Sequence, residues 1–157
     1  MSHVVSADRE QSQRELAPES YLPTLLTPLL GRDQETATLR QLLRRPDVRL
    51  ITLTGPGGVG KTSLALQVAH EARNSFADGA FFISLAPISD PTLIVPTIAQ
   101  TLRLPESPHR LWLDSLRDYL QDRQVLLLLD NFEQIITAAP LLTRHYQDSD
   151  VFSVAIC

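Results

Sequence analysis

One short run of the chain carries no polar residue. Residues 125–129 read "VLLLL" and stop at Asp130. A strand with one wet face alternates apolar and polar positions. A strand without alternation needs cover on both faces, the situation of a central strand in a parallel sheet. Residues 124–130 are predicted as such a strand. "VRLITLT" (48–54) is rich in β-branched residues and ends on Gly55. "GAFFISL" (79–85) has the same character, and both are predicted as strands. The final "DVFSVAIC" supplies a fourth candidate over 151–156.

Between these runs the apolar period changes to that of a helix. Over 60–75 it places Leu64, Ala65, Val68, Ala69 and Ala72 on one face. Residues 93–102 form a second helix with Pro96 near its first turn. Residues 111–122 form a third, with Leu113, Leu116 and Leu120 inward and Trp112 and Tyr119 packing beside them. An earlier helix runs over 33–45, with Asp33 as a candidate cap, a Leu39, Leu42 and Leu43 stripe, and Pro46 as its stop. A short helix is expected over 140–146. Prolines 23 and 28 keep the stretch before residue 33 extended. Residues 1–22 are polar and mixed in charge, with too little apolar surface to offset ordering, and are expected to be a disordered leader. Strands alternating with helices predict an α/β fold for residues 23–157. It is a three-layer α/β/α arrangement on a mainly parallel sheet.

Composition narrows the function classes. The chain has 157 residues, 43% hydrophobic and 20% charged, enough for one cored domain. Net charge is −4 and the pI is near 5.5. The arginines are scattered, so no basic footprint points to direct nucleic-acid binding. Cys157 is the single cysteine and cannot close a disulfide within the chain. The first twenty residues lack the apolar stretch of a signal peptide, and the apolar runs are too short to cross a bilayer as a helix. The expected location is cytoplasmic, with no membrane partner.

The chemistry concentrates at "GPGGVGKTS", residues 55–63. Lys61 is the only lysine; the other basic residues are arginine. Gly55, Pro56, Gly57, Gly58, Val59, Gly60, Lys61 and Thr62 fit G-x-x-x-x-G-K-[ST], and Ser63 follows. Surrounding a phosphate chain with amides requires a curled backbone, which glycines permit. The following helix adds unpaired N–H groups and the positive end of its dipole. Lysine delivers a compact point charge into such a nest, where the broad planar fork of arginine does not fit. Thr62 offers a hydroxyl to Mg²⁺. Asp130, delivered by its strand to the carboxyl edge of the sheet, is the second candidate metal ligand. ATP or ADP with Mg²⁺ is therefore the expected ligand, and Lys61 and Asp130 are the candidate catalytic groups. Asn131 stands where many fast ATPases carry a glutamate, and an amide cannot take a proton as a base. Glu133 is either a substitute base acting through water or part of a polar helix start. Hydrolysis is expected to be slow or absent.

"LLGRDQETATLRQLL", the glycine-rich loop, "LAPISDP" and "VLLLLDNFEQI" together resemble the nucleotide-binding domain of bacterial STAND signalling ATPases, relatives of NB-ARC domains. The resemblance covers roughly residues 28–143. It implies a nucleotide switch in a multidomain transcriptional regulator. It also implies that Leu29, Leu30, Gly31 and Arg32 form the turn against adenine. Arg32 then contacts base or ribose, or else pairs with Glu35. In that family a later strand, ending in a polar sensor, inserts between the loop strand and the Asp130 strand. Residues 151–156 are the candidate for that strand and show no sensor, so the chain is read as C-terminally truncated. Partner domains or self-association would belong to a longer parent. Two competitors stay open: a small-molecule kinase sharing the loop motif, and an interaction fragment that has lost nucleotide binding.

Overall fold

The computed structural model of the protein describes residues 20–25, 29–108, 110–132 and 153–156, the last four as backbone. In chain order the elements are α1 (Asp33–Leu43), β1 (Leu50–Thr52), α2 (Lys61–Ala72), β2 (Ala80–Ser84), α3 (Ile94–Thr101), α4 (Trp112–Leu120), β3 (Leu126–Asp130) and β4 (Ser153–Ile156). Single 3-10 turns extend α2 over Arg73–Ser75 and lead into α3 over Pro91–Leu93.

The strands form one parallel sheet in the order β1-β4-β3-β2. The last strand in sequence thus fills the gap between β1 and β3, as expected for residues 151–156. Residues 151 and 152 themselves lie outside the described residues.

Alternation of side chains across a strand divides the core into two halves. Leu126 and Leu128 of β3 join Ala80 of β2 against Ala65, Leu66 and Ala69 of α2. Leu127 and Leu129 join Phe81 and Ile83 against Ile98 of α3 and Leu116 and Leu120 of α4. All four β3 leucines are buried, which is the two-sided cover their sequence requires. The result is the three-layer arrangement expected, with a P-loop NTPase-like parallel sheet at its centre.

Several bounds shift. β1 has three residues rather than seven, because its parallel pairing with β4 covers only Leu50, Ile51 and Thr52. Asp33 is the first residue of α1, not its cap; Arg32 holds the cap position and makes no side-chain capping bond. α1 stops at Leu43, short of residue 45. On α4, Leu116 and Leu120 are buried while Leu113 stays half-buried. Leu66 is buried although it lies outside the expected stripe, since the cluster around it also takes in Leu22 and Leu25.

Those two leucines belong to an extended segment on the β2 edge. Ser20 Oγ accepts from Ala80 N–H at 3.0 Å, and Phe82 N–H donates to the Tyr21 carbonyl at 2.8 Å. The Pro23 carbonyl lies 2.8 Å from His70 Nε2 on α2. Ser20, Tyr21 and Leu22, the end of the leader expected over 1–22, are therefore held on the β2 edge by partners far away in the chain rather than disordered. Residues 1–19 and the helix expected over 140–146 lie outside the described residues.

Tyr119 packs beside the α3–α4 core, with the Arg123 guanidinium 4.4 Å from its ring centre. Its buried hydroxyl finds no hydrogen-bond partner among the described residues. Burial raises its pKa, so the fold favours the neutral phenol. That preference contributes fully below the unfolded pKa of about 10 and is lost as pH rises through the raised folded value. Tyr119→Phe removes a desolvated hydroxyl with no partner, and is expected to leave stability near pH 7 unchanged or to raise it by up to about 1 kcal/mol. It is also expected to flatten the alkaline fall in stability, measured as urea midpoint against pH. Leu116→Ala, by contrast, is expected to cost about 2–5 kcal/mol in the same assay.

Candidate functional site

The sheet brings the candidate residues to one edge. Through β4, Thr52 stands level with Leu129: both pair with Ile156. Asp130 is one residue further along, paired with Ser84. The glycine-rich loop leaving β1 and the carboxylate ending β3 therefore meet at the carboxyl edge of a parallel sheet. In open α/β sheets this is where ligands bind.

Two glycines are required by the backbone. Gly58 has φ +79° and Gly60 has φ +83°, values that L side chains rarely adopt. Crowding is not the reason, because a Cβ on Gly58 would meet nothing within 4 Å. Gly57 is equally open. Gly60 is the N-cap of α2, and Lys61 opens that helix. Lys61, Thr62 and Ser63 thus sit in the first turn, where backbone N–H groups have no intrahelical acceptor.

The Lys61 ammonium donates to the Gly55 carbonyl at 2.9 Å and to the Pro56 carbonyl at 3.0 Å. It therefore spans the loop from its far end back to its start. Thr62 Oγ1 donates to Asp130 Oδ1 at 2.8 Å, joining residues 68 positions apart. A hydroxyl and a carboxylate side by side form an all-oxygen donor set of the kind that Mg²⁺ takes. The curled glycine backbone, the helix start and the single ammonium fit a polyphosphate.

The turn before α1 docks on the same loop. Leu29 N–H donates to Gln67 Oε1 on α2 at 3.3 Å. Leu29 Cδ2 would lie 3.8 Å from a Cβ placed on Gly60. Leu30 is 90% exposed, and Gly31 turns with φ +73°. Arg32 pairs with Glu35 at 3.0 Å, one of the two roles left open for it. Its other nitrogen, Nη2, donates to the Val59 carbonyl at 2.8 Å, a contact that sequence reasoning missed. Gln67 was also missed. Neither carries a local signal, since each acts on a residue far away in the chain. Asn131 follows Asp130 with φ +62°, a left-handed conformation that Asn tolerates better than most residues. Glu133 lies outside the described residues.

The chain belongs to the AAA ATPase domain family, whose model matches residues 28–145. A Mycobacterium tuberculosis protein named as an HTH-type transcriptional regulator is 43% identical over 94 residues, which is 60% of this chain. The regulatory protein AfsR of Streptomyces coelicolor is 30% identical over 161 residues, 90% of this chain. The chain spans only 10% of the first relative's length and 16% of the second's. Among solved structures, Cdc6p from Pyrobaculum aerophilum matches with TM-score 0.66 and 22% identity, covering 90% of this chain and 41% of that one. The Aeropyrum pernix ORC2 protein, solved as ADPNP–ADP complexes, matches with TM-score 0.63 and 17% identity over 92% of this chain and 44% of its own. At such identities the likeness establishes the fold. Among the described residues no helix is long and apolar enough to cross a membrane.

The positive φ at Gly60 gives a direct check. Gly60→Ala is expected to destabilise the fold by about 1–2 kcal/mol through the left-handed backbone alone. Ser63→Ala, on the first turn of α2, is expected to stay within about 0.5 kcal/mol. Paired chemical denaturation curves measure both.

Proposed function

We propose that this member of the AAA ATPase domain family is a Mg²⁺-dependent ATP/ADP-binding module of the STAND signalling type, a slow nucleotide switch within a longer regulatory protein. The observation that carries the reading is the 2.8 Å hydrogen bond from Thr62 to Asp130. It sets two oxygen ligands beside a loop whose only cation is Lys61. In this reading Lys61 and the amides of residues 57–63 receive the phosphate chain, and Thr62 and Asp130 hold Mg²⁺. Bound Mg²⁺ supplies charge neutralisation on the phosphate oxygens. Leu30, exposed in the turn that docks on the loop, offers an apolar surface to the base.

The amide at Asn131 supports slow turnover, because it cannot accept a proton from water. Glu133 is then the candidate base. The turn formed by Leu29, Leu30, Gly31 and Arg32 supports the STAND assignment, since Arg32 joins it to the loop and in that class such a turn lies against the adenine. The names of the mycobacterial and AfsR relatives support the regulatory setting.

Calorimetric titration of the full chain with ATP and with ADP tests the reading. Saturable binding is expected with Mg²⁺ present, and Lys61→Ala is expected to weaken it by roughly tenfold or more, since a charge-assisted hydrogen bond contributes about 1.5–3 kcal/mol. Asp130→Asn is expected to remove most of the Mg²⁺ dependence. Turnover is expected below about one per second, the low end of ordinary enzymes. A folded chain that ignores both nucleotides at roughly a thousand times a micromolar Kd, that is about 1 mM, overturns the reading.

A further inference from the structure

We infer that Arg32 is a positioning residue for the glycine-rich loop, acting on its peptide backbone rather than on a base. The inference rests on the nucleotide reading above. Its starting point is the 2.8 Å hydrogen bond from Arg32 Nη2 to the Val59 carbonyl.

A trans peptide is planar, with its C=O and N–H pointing in opposite directions. No cis bond occurs among the described residues. Holding the Val59 carbonyl toward Arg32 therefore fixes the direction of the Gly60 N–H, which must point away from Arg32. That N–H belongs to the N-cap of α2, immediately before Lys61. Glycine freedom makes the peptide easy to rotate, because Gly60 itself is the flexible residue on one side and Gly58 lies just before Val59. Without an external hold, the loop has several orientations of this amide to choose from. With it, one amide direction is selected in advance, and the ordering cost is not left to ligand binding.

The hold is itself supported. Glu35 Oε1, one turn into α1, accepts from Arg32 Nη1 at 3.0 Å, so the guanidinium is gripped on one nitrogen while the other reaches the loop. Lysine offers a single point of attachment and cannot serve both partners with the same planar geometry. The Leu29 backbone bond to Gln67 fixes the turn against α2. Together these contacts make α1 and its leading turn a brace for the loop.

Binding of two ligands separates this role from a base contact. ADP carries base and ribose; inorganic pyrophosphate carries neither. Calorimetric Kd values for each, with Mg²⁺, are measured on wild type, Arg32→Met, Arg32→Lys and Glu35→Gln. Arg32→Met is expected to weaken ADP and pyrophosphate by the same factor, about fivefold, in keeping with one partly exposed charged hydrogen bond. Arg32→Lys is expected to recover part of that loss for both ligands. Glu35→Gln, which leaves the loop contact possible but loosely held, is expected to show a smaller loss with the same ratio. It also keeps the test alive should Arg32→Met fail to fold. A loss confined to ADP makes Arg32 a base or ribose contact and overturns the inference. So does an unchanged affinity for both ligands. A wild-type chain that binds ADP but not pyrophosphate also overturns it, since no phosphate site is then left for Arg32 to set. A wild-type chain that binds neither overturns the nucleotide reading itself.

Discussion

Four consecutive leucines that must all leave water are the constraint on which the rest of this fold depends. Leu126, Leu127, Leu128 and Leu129 are each at most 1% exposed. Each such burial contributes about 1.5–3 kcal/mol, and side chains that alternate across a strand can be buried together only between two layers. One layer is α1 and α2, the other α3 and α4. With both faces apolar, the leucines alone do not specify register, since a shift of the strand would still leave apolar groups facing apolar groups. Asp130 breaks that degeneracy. Drawing it into either core would bury a carboxylate without compensation, so it marks the end of the strand and stays half-buried at the sheet edge.

That placement makes the loop possible. The loop is held at its helix end by Thr62 on Asp130 and across its width by Lys61 on the Gly55 and Pro56 carbonyls. Its crest is held by Arg32 on the Val59 carbonyl. These contacts come from α2, from β3 and from the turn before α1. The exposed Arg32–Glu35 pair contributes little to global stability. Its effect is geometric: it narrows the orientations of a peptide flanked by glycines. A contact can be nearly neutral for folding and still bear on how this loop is organised, because residues 54–59 are exposed and have little packing of their own to fix them.

Much of this was legible in the chain because its signals are local. The absence of alternation in "VLLLL" identifies a central strand, and the helical spacing of apolar residues identifies α1, α2 and α4. The spacing of Gly55, Gly60, Lys61 and Thr62 located the loop. The insertion of β4 between β1 and β3 came from family resemblance, since no period in residues 151–156 says where in a sheet they pair. What stayed illegible depends on distant partners. Nothing beside Arg32 points to Val59, and nothing beside Gln67 points to Leu29. The docking of Ser20 and Tyr21 on the β2 edge is equally silent, because a polar stretch with one tyrosine reads as unstructured until its edge partner is known. β1 was overextended because β-branched content describes a strand's tendency, whereas its length is fixed by how far β4 runs beside it.

Asn131 shows how one residue can answer to two demands at once. From the sequence, its amide matters because it stands beside the candidate metal ligand without a basic oxygen. In the structure the backbone there is left-handed, at φ +62°, and the next residue, Phe132, turns down into the α3–α4 core with 3% exposure. A left-handed residue between a strand and a buried aromatic favours Asn or Gly; most other side chains would meet a penalty of about 1–2 kcal/mol. The turn that buries Phe132 therefore already selects against glutamate at position 131, whatever the chemistry. The slow turnover proposed here need not reflect the loss of a base once present. On that proposal it follows from a chain that leaves β3 by a left-handed turn, where packing of Phe132 rather than activation of water governs the residue at position 131.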